Sequence, residues 1–142
     1  MNILIRPVRE DDFEAWFAMR AALWPPVTMD GERADMEDYL RSDDKAVFVA
    51  QWDKKLVGFV EANIRHYAED CETQNVGYLE AWYVDENFRR EGVGASLVRA
   101  AEEWAREKGC REMASDCLLE NSVSLAAHEA STQYPHRLNL ER

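Results

Sequence analysis

A β-branched and aromatic run from Asn75 to Val84 leads through a short turn into Arg89-Arg90-Glu91-Gly92-Val93-Gly94, and from there directly into a helix-period segment. That order constrains the fold more than any other feature of the chain. Val93, Leu97, Val98, Ala101, Trp104 and Ala105 trace one face of an amphipathic helix, and Gly109 is a suitable residue to end it. A strand that feeds two glycines and a helix start brings unpaired N–H groups and the positive end of the helix dipole to one point, where glycine lets an anion approach the backbone. Arg89 and Arg90 add fixed charge. The arrangement suits a pyrophosphate. By spacing alone it is equally a plain turn with a charged lip, and it is not the dinucleotide fingerprint, which requires a third glycine in register.

The rest of the chain supplies the elements around this centre. Asn2 to Val8 reads as a strand, and Phe13, Trp16, Phe17, Leu23 and Trp24 recur at helical spacing until Pro25-Pro26 stops them. A second helix is expected from Asp30 to Arg41. Ala46 to Trp52 and Leu56 to Arg65 are apolar strands around the turn Asp53-Lys54-Lys55, so an antiparallel hairpin central to the sheet is expected. Asn75 to Val84 is a further strand, although its alternation is imperfect. Met113 to Cys117 is expected to be a short strand and Asn121 to about Ala130 a last helix. The stretch 131–142 has no periodicity and is read as an irregular tail behind one domain over 1–130.

Charge limits the partners. With 28 acidic against 17 basic side chains among 142 residues the net charge is −11, a field that repels nucleic acid and anionic lipid and attracts polycations. The segment Asp30 to Asp44 holds seven acids and two arginines, which reads as a solvated face or as a means of steering cations. No run reaches the roughly 20 apolar residues of a membrane span, and no signal-peptide layout is present, so a cytoplasmic location is expected. Cys71, Cys110 and Cys117 are odd in number and lack C-x-x-C spacing, so free thiols are expected rather than a disulfide framework or a metal site.

Val84 through Gly94 resembles the R-x-x-G-x-G/A acetyl-coenzyme A motif of the GCN5-related N-acetyltransferases, and the order of elements over 1–130 matches that family. The resemblance implies an α/β fold with a mixed central sheet flanked by helices. Leu23-Trp24-Pro25, Ile64-Arg65-His66-Tyr67, Leu79-Glu80 and the run Cys110 to Asp116 resemble the aminoglycoside 6'-N-acetyltransferases within it. The implied activity is transfer of an acetyl group from acetyl-CoA to the 6'-amine of an aminoglycoside antibiotic, by a cytoplasmic homodimer that confers resistance. Alternatives are a transferase of the same superfamily for another amine, such as a polyamine or a protein N-terminus, and a protein that binds without turnover.

The resemblance also assigns residues. Trp82, Tyr83 and Val84 are implied to pair with the pantetheine arm as an added strand would. The pyrophosphate falls to the backbone of Arg90, Glu91, Gly92, Val93, Gly94 and Ala95, and Arg89 is also implied to bind the coenzyme. Asn121 is implied to hydrogen-bond the pantetheine, and it is equally an N-cap of the last helix. Trp24, Tyr67, Glu80 and Asp116 are implied to meet the acceptor, since a polycationic aminosugar needs carboxylates for its ammonium groups and a flat face for its rings. Glu80 and Asp116 are the implied proton acceptors. Each has a plain alternative: Trp24 completes an apolar helix face, Tyr67 begins a loop, Glu80 faces water, Asp116 starts a turn. His66 and His128 have no partner in the sequence and read as surface or core residues.

The ending departs from the family. Relatives continue from the last helix through Leu-Gly-Phe and a run of acids into two further strands, whereas here His128-Glu129-Ala130 gives way to Ser131-Thr132-Gln133 and an unrelated sequence. The terminal strands are therefore expected to be missing or altered, with consequences for the dimer and for a further acceptor-site acid.

Overall fold

The computed structural model describes residues 2–23, 28–65, 75–115 and 137–139. Strand β1 (Ile3–Pro7) passes through a 3₁₀ turn (Glu10–Asp12) into helix α1 (Phe13–Leu23), and helix α2 (Met29–Arg41) follows. The hairpin β2 (Lys45–Trp52) and β3 (Lys55–Arg65) comes next, then β4 (Val76–Val84), a second 3₁₀ turn (Glu86–Phe88), α3 (Val93–Glu107), β5 (Glu112–Ser115) and β6 (Arg137–Asn139). Local signals account for several of these boundaries. Thr28 caps α2 by accepting the Gly31 N–H at 3.1 Å, and Asp85 caps the second 3₁₀ turn through the Asn87 N–H at 2.9 Å. Gly109, just past α3, has φ +90°, the left-handed conformation that ends helices.

All six strands form one sheet in the order β1-β2-β3-β4-β5-β6. Pairing is antiparallel except between β4 and β5, which run parallel because α3 carries the chain back across the sheet. The sheet is covered on both faces. On one, Leu97, Val98, Ala101 and Ala105 of α3 pack on Val57, Val60, Ala62, Leu79, Trp82 and Val84. On the other, Trp16 and Met19 of α1 and Met36 and Tyr39 of α2 pack on Val47, Val49, Phe59 and Ala81.

Two β-bulges interrupt the ladder. In β3, Ala50 pairs with Gly58 and Gln51 with Leu56, which leaves Val57 as the extra residue; in β4, Glu61 pairs with Ala81 and Ala62 with Leu79, which leaves Glu80 extra. The imperfect alternation of Asn75 to Val84 has this cause: an inserted residue resets the side-chain period.

The C-terminal reading needs a correction. Arg137–Asn139, expected to be part of an irregular tail, form a strand whose backbone pairs antiparallel with β5, with Leu138 opposite Met113. Three residues give no periodicity to detect. What holds them is the open backbone edge of β5, a non-local feature. The expected last helix, Asn121 to about Ala130, and the remainder of the tail lie outside the described residues.

Candidate active site

The site is built on β4. This strand pairs with β3 along its whole length, but its ladder with β5 stops at Gly77–Leu79. Among the described strands, the β5-side edge of Glu80–Val84 has no partner, and the four steps along these five residues span about 13 Å. Among the described residues nothing pairs with the backbone donors and acceptors along that edge, which suits them to an extended ligand.

One end of the edge leads into the glycine motif. The Val84 carbonyl accepts Arg89 Nε at 2.9 Å, which holds the arginine at the strand terminus. Arg90 (φ +68°) and Gly92 (φ +83°) both take left-handed conformations that turn the chain sharply into α3. The first hydrogen bond there runs from the Ser96 N–H to the Gly92 carbonyl at 3.1 Å, so the N–H groups of Val93, Gly94 and Ala95 have no acceptor within the helix. Gly94 lies against Trp82: a Cβ on it would meet the indole at 3.4–3.5 Å. Trp82 is 1% exposed, and its Nε1 is buried with no hydrogen-bond partner among the described residues. Open strand edge, unpaired helix N–H groups and flanking arginines fit the arm and pyrophosphate of a coenzyme A thioester. The predicted residues Trp82, Tyr83, Val84 and Arg89 to Ala95 are thus brought together.

At the other end lies the bulge, and it puts Glu80 and Ala81 on the same face, the one covered by α1 and α2. The Glu80 carboxylate accepts Asn63 Nδ2 at 2.9 Å and the Arg65 guanidinium, while its side chain stays 28% exposed. Asn63 also reaches the Tyr39 hydroxyl at 3.3 Å. The carboxylate opens into a cleft of about 490 Å³ lined by Arg20, Glu32, Asp35, Tyr39, Lys45, Glu61, Asn63 and Glu80. Of the two readings of Glu80, on an exposed face or in a cleft, the geometry gives the cleft. Two carboxylates of the acid run Asp30 to Asp44, Glu32 and Asp35, line it as well, so that run is more than a solvated face.

Beneath the cleft lies a buried ionic network. Glu61, in the middle of β3 and 0% exposed, accepts Arg20 Nε at 2.6 Å, Arg20 Nη2 at 2.7 Å and Trp16 Nε1 at 2.8 Å. Burial pushes the Glu61 carboxyl above the usual carboxylate range, against the pull of Arg20 and Trp16. For Arg20, burial works downward but is outweighed by Glu61 and Asp35, which raise it. Burial, reinforced by the charge of Glu61, raises the Tyr39 phenol and keeps it neutral. Sequence reasoning missed Arg20, Glu61 and Asn63. A signal was present: an acid inside the run Val57-Gly58-Phe59-Val60-Glu61-Ala62 requires a buried partner, and Arg20 stands one helical turn after Trp16 on the same apolar face.

A larger hollow, about 700 Å³, lies elsewhere on this face between Arg6, Arg9, Lys54, Lys55, Tyr83 and Asp85. Its lining carries four cations against three acids, with Arg6 paired to Asp12 at 2.8 Å and Lys55 to Asp85 at 3.8 Å. The smaller cleft, with its excess of acids, is the better match to a cationic ligand. Trp24, Tyr67, Asp116 and Asn121 of the predicted site, with His66 and His128, lie outside the described residues. Cys110 is a buried free thiol, as expected, and burial raises its pKa; Cys71 and Cys117 lie outside the described residues.

Fold and motif together define an acyltransferase architecture, and comparison with known proteins agrees. The Acetyltransferase (GNAT) family matches residues 13–132, and the chain belongs to that family. It is similar to aminoglycoside N(6')-acetyltransferase type 1 of Klebsiella aerogenes, with 45% identity over 132 residues, 90% of this chain and 87% of the relative. Among solved structures it resembles AAC(6')-Iy in complex with the bisubstrate analog CoA-S-monomethyl-acetylneamine, with a TM-score of 0.84, 39% identity, and coverage of 92% of this chain and 89% of that one. It also resembles AAC(6')-Ih from Acinetobacter baumannii, with a TM-score of 0.82, 32% identity, and coverage of 91% and 88%.

Proposed function

We propose that this chain transfers the acetyl group of acetyl-CoA to the 6'-amine of aminoglycoside antibiotics and so confers resistance to them. The observation that carries the reading is the bulge of β4, where a partly exposed carboxylate in an acid-rich cleft adjoins a strand edge that runs to the glycine motif. A relative that is 45% identical is named for this activity, and a structural neighbour is in complex with the bisubstrate analog CoA-S-monomethyl-acetylneamine.

Acetyl-CoA brings the acetyl group as a thioester, whose thiolate leaves when the amine nitrogen attacks. The chain does the rest. Trp82, Tyr83 and Val84 offer backbone groups along the open edge, and a backbone N–H near Tyr83 polarises the thioester carbonyl. Arg89 to Ala95 hold the pyrophosphate, and Asn121 hydrogen-bonds the pantetheine. An amine reaches the cleft as an ammonium and attacks only after losing a proton, which Glu80 accepts directly or through a water. The arriving cation replaces Arg65 on the Glu80 carboxylate. Asp116 is the second acid of the acceptor site, and Trp24 and Tyr67 supply ring faces. Transfer is direct within a ternary complex, and the buried Cys110 takes no part in it. The same reading makes the protein a cytoplasmic homodimer. Among the described residues no helix is long and apolar enough to cross a membrane.

A thiol-release assay with acetyl-CoA tests the function, using kanamycin-like aminoglycosides and simple polyamines as acceptors. Release with the aminoglycosides and not with polyamines is expected. Coenzyme binding without release on any aminoglycoside contradicts it.

A further inference from the structure

Arg20 is the most heavily engaged side chain below the cleft. Its neighbours on the buried face of α1, Trp16 and Met19, are apolar, yet Arg20 is itself only 2% exposed. Nε and Nη2 grip the two oxygens of Glu61, Nη1 donates to Glu32 Oε1 at 3.0 Å, and Nη2 donates to Asp35 Oδ2 at 2.6 Å. One cation therefore holds three carboxylates. Glu61 alone would neutralise it, so the two acids of α2 are held in excess of what a buried pair requires. Each gives Arg20 one oxygen and keeps a second, and both line the cleft that contains Glu80. Unheld, two like-charged side chains near one another turn apart toward water; held, they face an incoming cation without an ordering cost.

We propose that Arg20, fixed by Glu61, is a positioning residue for the acceptor: it sets Glu32 and Asp35 so that their remaining oxygens receive ammonium groups of a polycationic substrate. This role rests on the aminoglycoside reading and extends it to a second wall of the cleft. Glu80 serves the reacting amine, while α2 serves amines elsewhere on the same molecule. Arg20 touches no substrate.

The double substitution Arg20→Met/Glu61→Gln tests the role. It removes one positive and one negative charge, so the net charge at the cleft is unchanged, and the amide oxygen still accepts the Trp16 N–H. Any effect then reports position rather than field. Thermal unfolding first establishes the temperature at which the variant is fully folded; there, kanamycin-like acceptor and acetyl-CoA are varied separately. The expected result is an acceptor KM raised about tenfold or more, with the acetyl-CoA KM held within about twofold. Arg20→Lys provides a second route if the double variant does not fold, because lysine keeps the charge but lacks the fork that grips several carboxylates. The same split in KM is expected of it. Acceptor and coenzyme KM values that both stay unchanged, or that rise together, overturn the positioning role. Failure of the wild-type protein to release thiol with any aminoglycoside is a different result: it overturns the function, and this role with it.

Discussion

The face of the sheet covered by α3 and the face covered by α1 and α2 are made from the same strands, yet one is closed by hydrocarbon and the other by hydrocarbon with a buried ionic network set into it. Val60 and Ala62 of β3 pack into an apolar cluster with Leu97 and Ala101, while Glu61 between them turns the other way to Arg20 and Trp16. The difference follows the chemistry each side serves. The α3 side supports a helix start that must hold still beside an open strand edge, and close apolar packing does that without specific partners. The other side underlies a cleft for cations. Its carboxylates must stay charged and aimed, which requires hydrogen-bonded partners beneath them.

Substitutions that break this contrast separate the two faces. The largest effect is expected from Arg20→Ala, which leaves Glu61 buried without its cation: a loss of about 3–5 kcal/mol in urea unfolding. A loss below about 1 kcal/mol is the behaviour of an exposed pair, and would erase the distinction. Next comes Glu80→Gln, which retains the Asn63 and Arg65 neighbours but removes the proton acceptor. Its kcat with aminoglycoside is expected to fall about a hundredfold, close to 2.7 kcal/mol, with an unchanged melting temperature.

A third substitution acts on the coenzyme end alone. Gly92→Val forces a β-branched residue into φ +83° at a strain of about 1–2 kcal/mol, so the acetyl-CoA KM rises about tenfold while the acceptor KM does not. Equal rises in both would join what the two faces keep apart. The smallest effect is a pH effect at the margin of the ionic face. Arg6 donates to both oxygens of Asp12, at 2.8 and 2.9 Å, and holds that carboxyl below its usual range. Because the folded protein binds this proton less tightly than the unfolded chain, the stabilisation is complete above the unfolded pKa of about 3.9 and is lost as pH falls through the lower folded value. Asp12→Asn is expected to flatten the acid limb of melting temperature against pH, and an unaltered limb contradicts the pairing.

What could be read from the sequence divides along the same line. Apolar periodicity exposed the α3 face: Val93, Leu97, Val98, Ala101 and Ala105 are buried where the helical spacing places them, and Trp104 packs partly buried against them. The glycine motif was equally plain, because conformational need and chemistry coincide at Gly92 and Gly94. Of the charged residues on the ionic face, only Glu80 and the acid run from Asp30 to Asp44 announced themselves. Arg20 and Glu61 are 41 residues apart, and charge counting places such residues at the surface unless each is asked for a partner. The bulge that aims Glu80 showed only as imperfect alternation in β4. β6 gave no signal, since three residues are held by an edge that exists only once β5 has formed.

Glu80 and the open edge of β4 make one claim together, acetyl transfer to a 6'-amine. The direct measurement is coenzyme A release from acetyl-CoA with two matched aminoglycosides, one carrying an amine at the 6' position and one a hydroxyl there. Turnover with the 6'-amine and none with the 6'-hydroxyl is the predicted result; equal turnover with both, or none with either, would contradict it.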